Sequence, residues 1–238
     1  INQDELLNGL LNFNLGEKGP HVLILHSHAS ESFTPTNQNY YVPSDPSRTE
    51  DPNFNIIRVG EEITKTLSDM GIGVIHDKTL HDYPSYNGSY KNSLKTVEKY
   101  LAEYPTIKIV IDVHRDAMMR EDGTKLKVCT DMNGEKVAQV MIVSGTNQGG
   151  LQHKDWKENL KFSMKWQQYL DKNNPGLARP IHLTKERYNT HTTKASVILE
   201  VGSNGNTLEE AILGGRYAAQ SLGEMIKKLK KYKTMHYV

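Results

Sequence analysis

His21-Val22-Leu23-Ile24-Leu25-His26-Ser27-His28-Ala29-Ser30-Glu31 decides how this chain is read: an apolar run stops abruptly at two histidines and a carboxylate. A buried strand ending there delivers His28 and Glu31 at its carboxyl end, as nitrogen and oxygen donors suited to a zinc ion. Two later stretches end in the same way. Thr106-Ile107-Lys108-Ile109-Val110-Ile111-Asp112-Val113 is closed by His114-Arg115-Asp116, and Ser196-Val197-Ile198-Leu199 is closed by Glu200. If the three runs are neighbouring strands of one parallel sheet, their carboxyl ends converge on one rim, which is where open α/β sheets bind ligands. The candidate set is then His28, Glu31, His114 and Glu200.

Upstream of the first run, Leu6, Leu7, Leu10 and Leu11 fall at helical spacing, and Gly16 and Gly19-Pro20 stop the segment. Residues 1–20 are therefore read as an N-terminal arm or short helix, and 21–238 as a single domain. Downstream of Glu31, a polar stretch to Asn53 holds Tyr40 and Tyr41. Loops of that length are often functional, and this one is read as a wall of the site. Ile56, Val59, Ile63, Leu67 and Met70 then recur with a period near 3.6, and Gly71 follows as a C-cap. A short strand is predicted over 73–76, a loop with Tyr83 and Tyr86 after it, and a helix over 89–104 stopped by Pro105. This β-α-β-α-β order suits a parallel sheet, whose crossovers need helices. Segments 125–130 and 138–144 are expected to pair as a hairpin across Met132-Asn133-Gly134. A Gly-rich loop at 145–150 precedes a helix over about 155–172. A short strand is expected near Ile181, and Thr207 caps a long final helix. The expected fold class is α/β: one domain, a mostly parallel open sheet with helices on both faces.

The 238 residues suffice for one large α/β core and are few for two. With 29 basic against 28 acidic residues the net charge is +1, which gives no electrostatic case for nucleic acid as a partner. The basic block Lys227-Lys228-Leu229-Lys230-Lys231 closes the final predicted helix, where cations face the helix dipole favourably. The single cysteine, Cys129, excludes an internal disulfide and a cysteine-based zinc site. No run reaches the roughly 20 apolar residues of a membrane span. The chain begins at Ile1 rather than Met, so any membrane attachment is expected from a segment upstream of it.

Two histidines and one carboxylate leave a fourth zinc position for water, whose pKa the metal brings near 7. A carboxylate inside Val197-Ile198-Leu199-Glu200-Val201 has to be paired or functional. As general base, Glu200 takes a proton from that water and passes it to the leaving amine. His26 is a rival to His28, since residues two apart on an extended segment point the same way. The spacing to Glu31 favours His28, with His26 behind it or in contact with substrate. Asp112 reads either as an acceptor for a ligand histidine or as a surface carboxylate. Arg115 either holds a substrate carboxylate or pairs with Asp116. His191 either polarises a carbonyl or is a solvated loop residue. Tyr40, Tyr41, Tyr83 and Tyr86 are available to line a groove for sugar or peptide.

Together, His26-Ser27-His28-Ala29-Ser30-Glu31-Ser32-Phe33, Asn55-Ile56 to Gly60, Gly71-Ile72-Gly73-Val74, Asp112-Val113-His114-Arg115-Asp116 and Ile198-Leu199-Glu200-Val201-Gly202 resemble the stage II sporulation protein P family. That family looks like a branch of the zinc-dependent N-acetylmuramoyl-L-alanine amidases, so 21–238 would be an amidase-like catalytic domain, related in fold to zinc carboxypeptidases. The resemblance implies a peptidoglycan hydrolase that cuts between muramic acid and L-alanine during sporulation and engulfment, with endopeptidase cleavage of cross-links also attributed to it. It further implies zinc as cofactor, peptidoglycan as substrate, and the stage II sporulation protein D and engulfment complex as partners. The location implied is extracytoplasmic, at the sporulation septum, with an upstream anchor. The broader amidases take a glutamate ligand just before the first long helix, where this chain has no Glu between Asp51 and Asn55. Glu31 therefore fills that role, with Glu50 or Asp51 as the fallback. Two other readings compete: a zinc carboxypeptidase, which needs an arginine for the terminal carboxylate, and a catalytically silent wall-binding module.

Overall fold

The computed structural model describes residues 3–16, 18–35 and 47–234, with side chains from 4 to 230 within those segments. In chain order the elements are α1 (Gln3–Asn8), β1 (Val22–Leu25), α2 (Ile56–Asp69), β2 (Val74–His76), α3 (Ser89–Glu103), β3 (Ile109–Asp116), β4 (Cys129–Met132), β5 (Glu135–Ala138), β6 (Val140–Gly145), α4 (Trp156–Asn173), β7 (His182–Thr184), β8 (Ala195–Ser203) and α5 (Leu208–Thr234). Among the described residues none of these helices is long and apolar enough to cross a membrane.

The three apolar runs are adjacent parallel strands, as their burial on both faces requires. The main sheet has the order β2-β1-β3-β8-β6-β7, with β1 parallel to β2 and β3, and β3 parallel to β8. Only β6 runs against its neighbour β8, while β7 lies parallel to β6, so the sheet is mostly parallel. Alternation sorts the strand residues between two layers. Val22 and Ile24 of β1, Ile109, Ile111 and Val113 of β3, and Val197 and Leu199 of β8 share one core with α2, α4 and α5. Leu23, Leu25 and Val110 face the other way, onto Val97, Tyr100 and Leu101 of α3. Asp112 and His114 continue the Val110 side of β3. In register with them on β8 stand Ile198 and Glu200. The α3 face thus turns from apolar to polar at the carboxyl ends of the strands.

Local signals end the helices where the sequence indicates. The Asn55 side chain accepts from Ile57 N at 3.0 Å to start α2, and Met70 and Gly71 (φ +79°) terminate it. Thr207 and Glu210 cap α5 reciprocally: Glu210 N donates to Thr207 Oγ1 at 3.4 Å, and Thr207 N donates to Glu210 Oε2 at 3.1 Å.

The N-terminal arm carries a short helix that stops at Asn8; of the leucines at helical spacing, Leu10 and Leu11 lie beyond its end, Leu11 buried and Leu10 89% exposed. The hairpin expectation needs correction. The hairpin turns where expected, with Asn133 and Gly134 both at positive φ, but it pairs Cys129–Met132 with Glu135–Ala138. A two-residue turn puts the return strand immediately after it. Val140, Ile142 and Val143 are too apolar for a two-stranded ribbon to bury, and they join the main sheet instead.

Candidate active site

The site begins where β1 ends. Ser27 N donates to Asp112 Oδ1 at 2.7 Å and Ser27 Oγ to Oδ2 at 2.5 Å, while the same hydroxyl lies 2.7 Å from Ser93 Oγ of α3. Asp112 is thereby fixed, and its Oδ1 stands 2.8 Å from His114 Nε2. On the other side of the ring, His114 Nδ1 is 3.5 Å from Glu31 Oε2. Burial disfavours the His114 cation, yet the two carboxylates outweigh burial and hold its pKa well above the ordinary value. Burial alone would raise Glu31, but the hydrogen bond and charge of His114, followed by the Arg115 charge, bring it down to about 2.

Glu31 is held from several directions. Arg115 N donates to its Oε2 at 3.1 Å, and the Arg48 guanidinium approaches its Oε1 at 3.8 Å. Arg48 also donates to Asp82 Oδ2 at 3.0 Å and to Ser30 Oγ at 3.1 Å; Asp82 in turn accepts from Ser30 Oγ at 2.6 Å. The turn after β1 is therefore tied to the loop before α3. Arg48 sits 4.7 Å above the Tyr86 ring, and Tyr86 stacks on His28 at 4.4 Å with planes 7° apart. Tyr90 meets His28 edge-on at 5.2 Å and lies parallel to His114 at 6.3 Å. The His28 and His114 rings are 5.2 Å apart. Burial, then the His114 charge, lowers His28 to about 4, so it stays neutral.

Glu200 stands beside His114 across the β3–β8 ladder, one strand spacing of about 4.8 Å away at the backbone. Its Oε2 is enclosed without a hydrogen-bond partner, as is His28 Nδ1. Burial pushes the Glu200 carboxyl up to about 8; the His114 cation opposes this, and the negative Glu31 and Asp116 add to it. Among the described residues, no three His, Cys, Asp or Glu side chains are grouped so as to hold one ion as they stand. The donor chemistry nonetheless fits a zinc site: two imidazoles, a carboxylate on the same rim, and three buried polar atoms, His28 Nδ1, His114 Nε2 and Glu200 Oε2, without a hydrogen-bond partner.

A family model for stage II sporulation protein P matches residues 2–223. The chain belongs to the stage II sporulation protein P family. It is 28% identical over 217 residues to stage II sporulation protein P of Bacillus subtilis (strain 168), covering 86% of this chain and 50% of that one. The chain thus spans about half the length of the curated relative it matches. The fold is similar to the CwlD amidase from Clostridioides difficile, solved with the GerS lipoprotein, at 13% identity and a TM-score of 0.53; 89% of this chain and 99% of that one align. It is also similar to the catalytic domain of CwlV, an N-acetylmuramoyl-L-alanine amidase from Bacillus (Paenibacillus) polymyxa var. colistinus, at 12% identity and a TM-score of 0.51, over 87% and 98% of the chains. At these identities the likeness is one of fold, and it agrees with the α/β class expected from the sequence.

In this family member the predicted residues separate into two groups. His28, Glu31, Asp112, His114 and Glu200 come together; Asp112 is buried and forms an ion pair with His114, so it is not a surface carboxylate. His26 does not join them: its ring turns to the α2 side, Nδ1 2.8 Å from Val113 O and Nε2 2.8 Å from His76 Nε2. The tight turn after Leu25 breaks the extended geometry that would have aligned it with His28. Arg115 is 4% exposed and spends its guanidinium on the Ser32 and Ser47 carbonyls, both at 2.9 Å; Asp116 pairs with Arg179 instead, at 2.9 Å. His191 stands apart with His153, ring centroids 6.4 Å apart. Glu50 and Asp51 are exposed, leaving Glu31 as the buried carboxylate. Tyr40 and Tyr41 lie outside the described residues. Arg48, Asp82, Tyr90 and Tyr188 were not foreseen; each comes from a loop or helix start whose direction the sequence pattern does not carry.

Proposed function

We propose that this chain is a peptidoglycan hydrolase, a zinc-dependent N-acetylmuramoyl-L-alanine amidase in which His28, Glu31 and His114 hold the metal and Glu200 is the general base. The observation that carries this reading is the pairing of His114 with Glu200 across adjacent strand ends, with Glu200 Oε2 enclosed and unpartnered. When bound, zinc would acidify water and polarise the amide carbonyl. In the metal-free chain burial keeps the Glu200 carboxyl protonated at neutral pH; a cation bound beside it would favour the carboxylate, which could then take a proton from water and return it to the departing amine. Asp112 fixes the orientation of His114, and Tyr86 and Tyr90 shield His28 from solvent. Cleavage of peptide cross-links, action beside stage II sporulation protein D during engulfment, and an extracytoplasmic site at the septum belong to the same proposal, supported by family membership. The carboxypeptidase alternative would need Arg115, Arg120 or Arg187 for the terminal carboxylate, and of these the Arg115 guanidinium is already committed to backbone carbonyls.

The test pairs zinc analysis with dye release from purified, dye-labelled sacculi. His28→Ala and His114→Ala should lose zinc and dye release together. Glu200→Gln should keep zinc and lose dye release. Equal zinc in wild type and both alanine variants, or undiminished release by Glu200→Gln, would end the assignment.

A further inference from the structure

The loop between β7 and β8 carries a residue that neither the metal set nor the general base accounts for. Among the described residues, the non-glycine positions with positive φ are Ser47, Asn133 and Tyr188. Asn133 sits in a hairpin turn that favours it. Tyr188, at φ +48°, is a bulky side chain in the left-handed region, which it adopts only when its surroundings leave no alternative.

Those surroundings are specific. Thr190 N and Thr190 Oγ1 both donate to Arg187 O, at 3.2 and 2.8 Å, closing a turn across Tyr188. Asn189 Nδ2 donates to Tyr90 O at 2.9 Å and to Ser93 Oγ at 3.0 Å, binding the loop to the first turns of α3. Asn159 of α4 holds Thr190 O at 2.9 Å. At the end of β6, a Cβ on Gly145 would meet Arg187 O at 2.6 Å and Glu186 O at 2.7 Å, so the strand presses on the loop from below. The outcome is that the Tyr188 ring lies 5.0 Å from Tyr90, the ring that itself lies over His114 and against His28. Unlike His191, three residues on, Tyr188 faces the site.

We propose that Tyr188 is a hydrogen-bond donor to the transition state: its phenol, set on the rim by a left-handed backbone, donates to the amide carbonyl oxygen as negative charge develops on it in the cleavage that Glu200 assists. This rests on the amidase reading above. Burial, followed by the charges of Glu186 and Glu200, raises the phenol above its ordinary range, so it remains protonated and able to donate. The unfavourable backbone is what aims the ring inward, since a right-handed residue at this turn would send the side chain elsewhere.

The test is steady-state hydrolysis of a soluble N-acetylmuramoyl-peptide by the zinc-loaded protein, with dye release from sacculi as the control for wild-type activity. Tyr188→Phe keeps the ring and removes the donor: kcat should fall about a hundredfold, the loss typical of one transition-state donor. KM should stay within about threefold and the melting temperature should not move, because an interaction made in the transition state acts on kcat alone. Tyr188→Asn tolerates the left-handed backbone, so it should fold and show at least as large a loss of kcat. Wild-type kcat in Tyr188→Phe, or a rise in KM with kcat unchanged, overturns the proposal while leaving the amidase reading intact. Absence of dye release by the wild type overturns both.

Discussion

Replacing Glu200 by glutamine should stabilise the metal-free protein while abolishing hydrolysis. The Glu200 carboxyl titrates at about 8 in the folded chain, chiefly because burial penalises its charged form. In the unfolded chain it titrates near 4.3. The sign follows from proton counts. Below about pH 4 both states hold the proton and the residue contributes no difference. As pH rises past that point the unfolded chain releases its proton and the folded chain keeps it, so folding loses about 1.4 kcal/mol per pH unit until roughly pH 8. At pH 7.5 the gap of about 3 units corresponds to about 4 kcal/mol, and sharing of the titration with nearby Glu31 reduces this to about 2–4 kcal/mol. Glutamine has no charge to lose, so the variant should melt about 5–10 °C higher at pH 7.5 in chelator, for a domain of this size. The gain should shrink towards zero at pH 4.5. Differential scanning calorimetry at the two pH values measures both. A variant that melts lower than wild type at pH 7.5, or a gain of equal size at pH 4.5, would refute the claim that Glu200 is held protonated against its preference.

Other consequences concern the groups around that carboxyl. Asp112→Asn should weaken zinc binding about 10- to 100-fold in a chelator competition, because the ion-pair partner that fixes His114 is lost; unchanged affinity would assign Asp112 to Ser27 alone. The neutral pair His26 and His76, lowered to about 3 and about 4 first by burial, makes the protein labile to acid. Their folded pKa values lie below the unfolded 6.5, so the stability they preserve is whole above about pH 6.5, is lost progressively as pH falls below that, and is gone once pH has passed the folded values of about 4 and about 3. His76→Gln should flatten the fall in melting temperature between pH 6.5 and 4.5, and parallel profiles for variant and wild type would contradict this.

Much of the site could be read because hydrophobicity marks strands and a polar residue ending a buried strand is costly without a use. That reasoning puts Asp112, His114 and Glu200 at the ends of neighbouring strands, where they lie, since regular strands transmit register from backbone to side chain. It fails at His26, where one residue past the strand the chain turns and the alternation no longer applies. It fails again at Arg115, whose guanidinium satisfies the Ser32 and Ser47 carbonyls, 83 and 68 residues away in the chain and outside the named helices and strands. Arg48, Asp82, Tyr86 and Tyr90 interlock through ion pairs and ring contacts between a loop, a turn and a helix start, and no periodicity announces such a meeting.

The amino-acid order alone determined the elements: three apolar runs ended by His28, His114 and Glu200, helices capped at Asn55 and Thr207, and a turn at Asn133-Gly134. These are local, because burial period, capping and turn chemistry depend on residues within a few positions of one another. Tertiary structure decided which imidazole faces Glu31, which arginine meets Asp116, and that Tyr188 reaches the rim at all. Those outcomes depend on distances between segments up to 170 residues apart, such as Thr34 and Asn204. Such distances exist only once the sheet has brought its strand ends together.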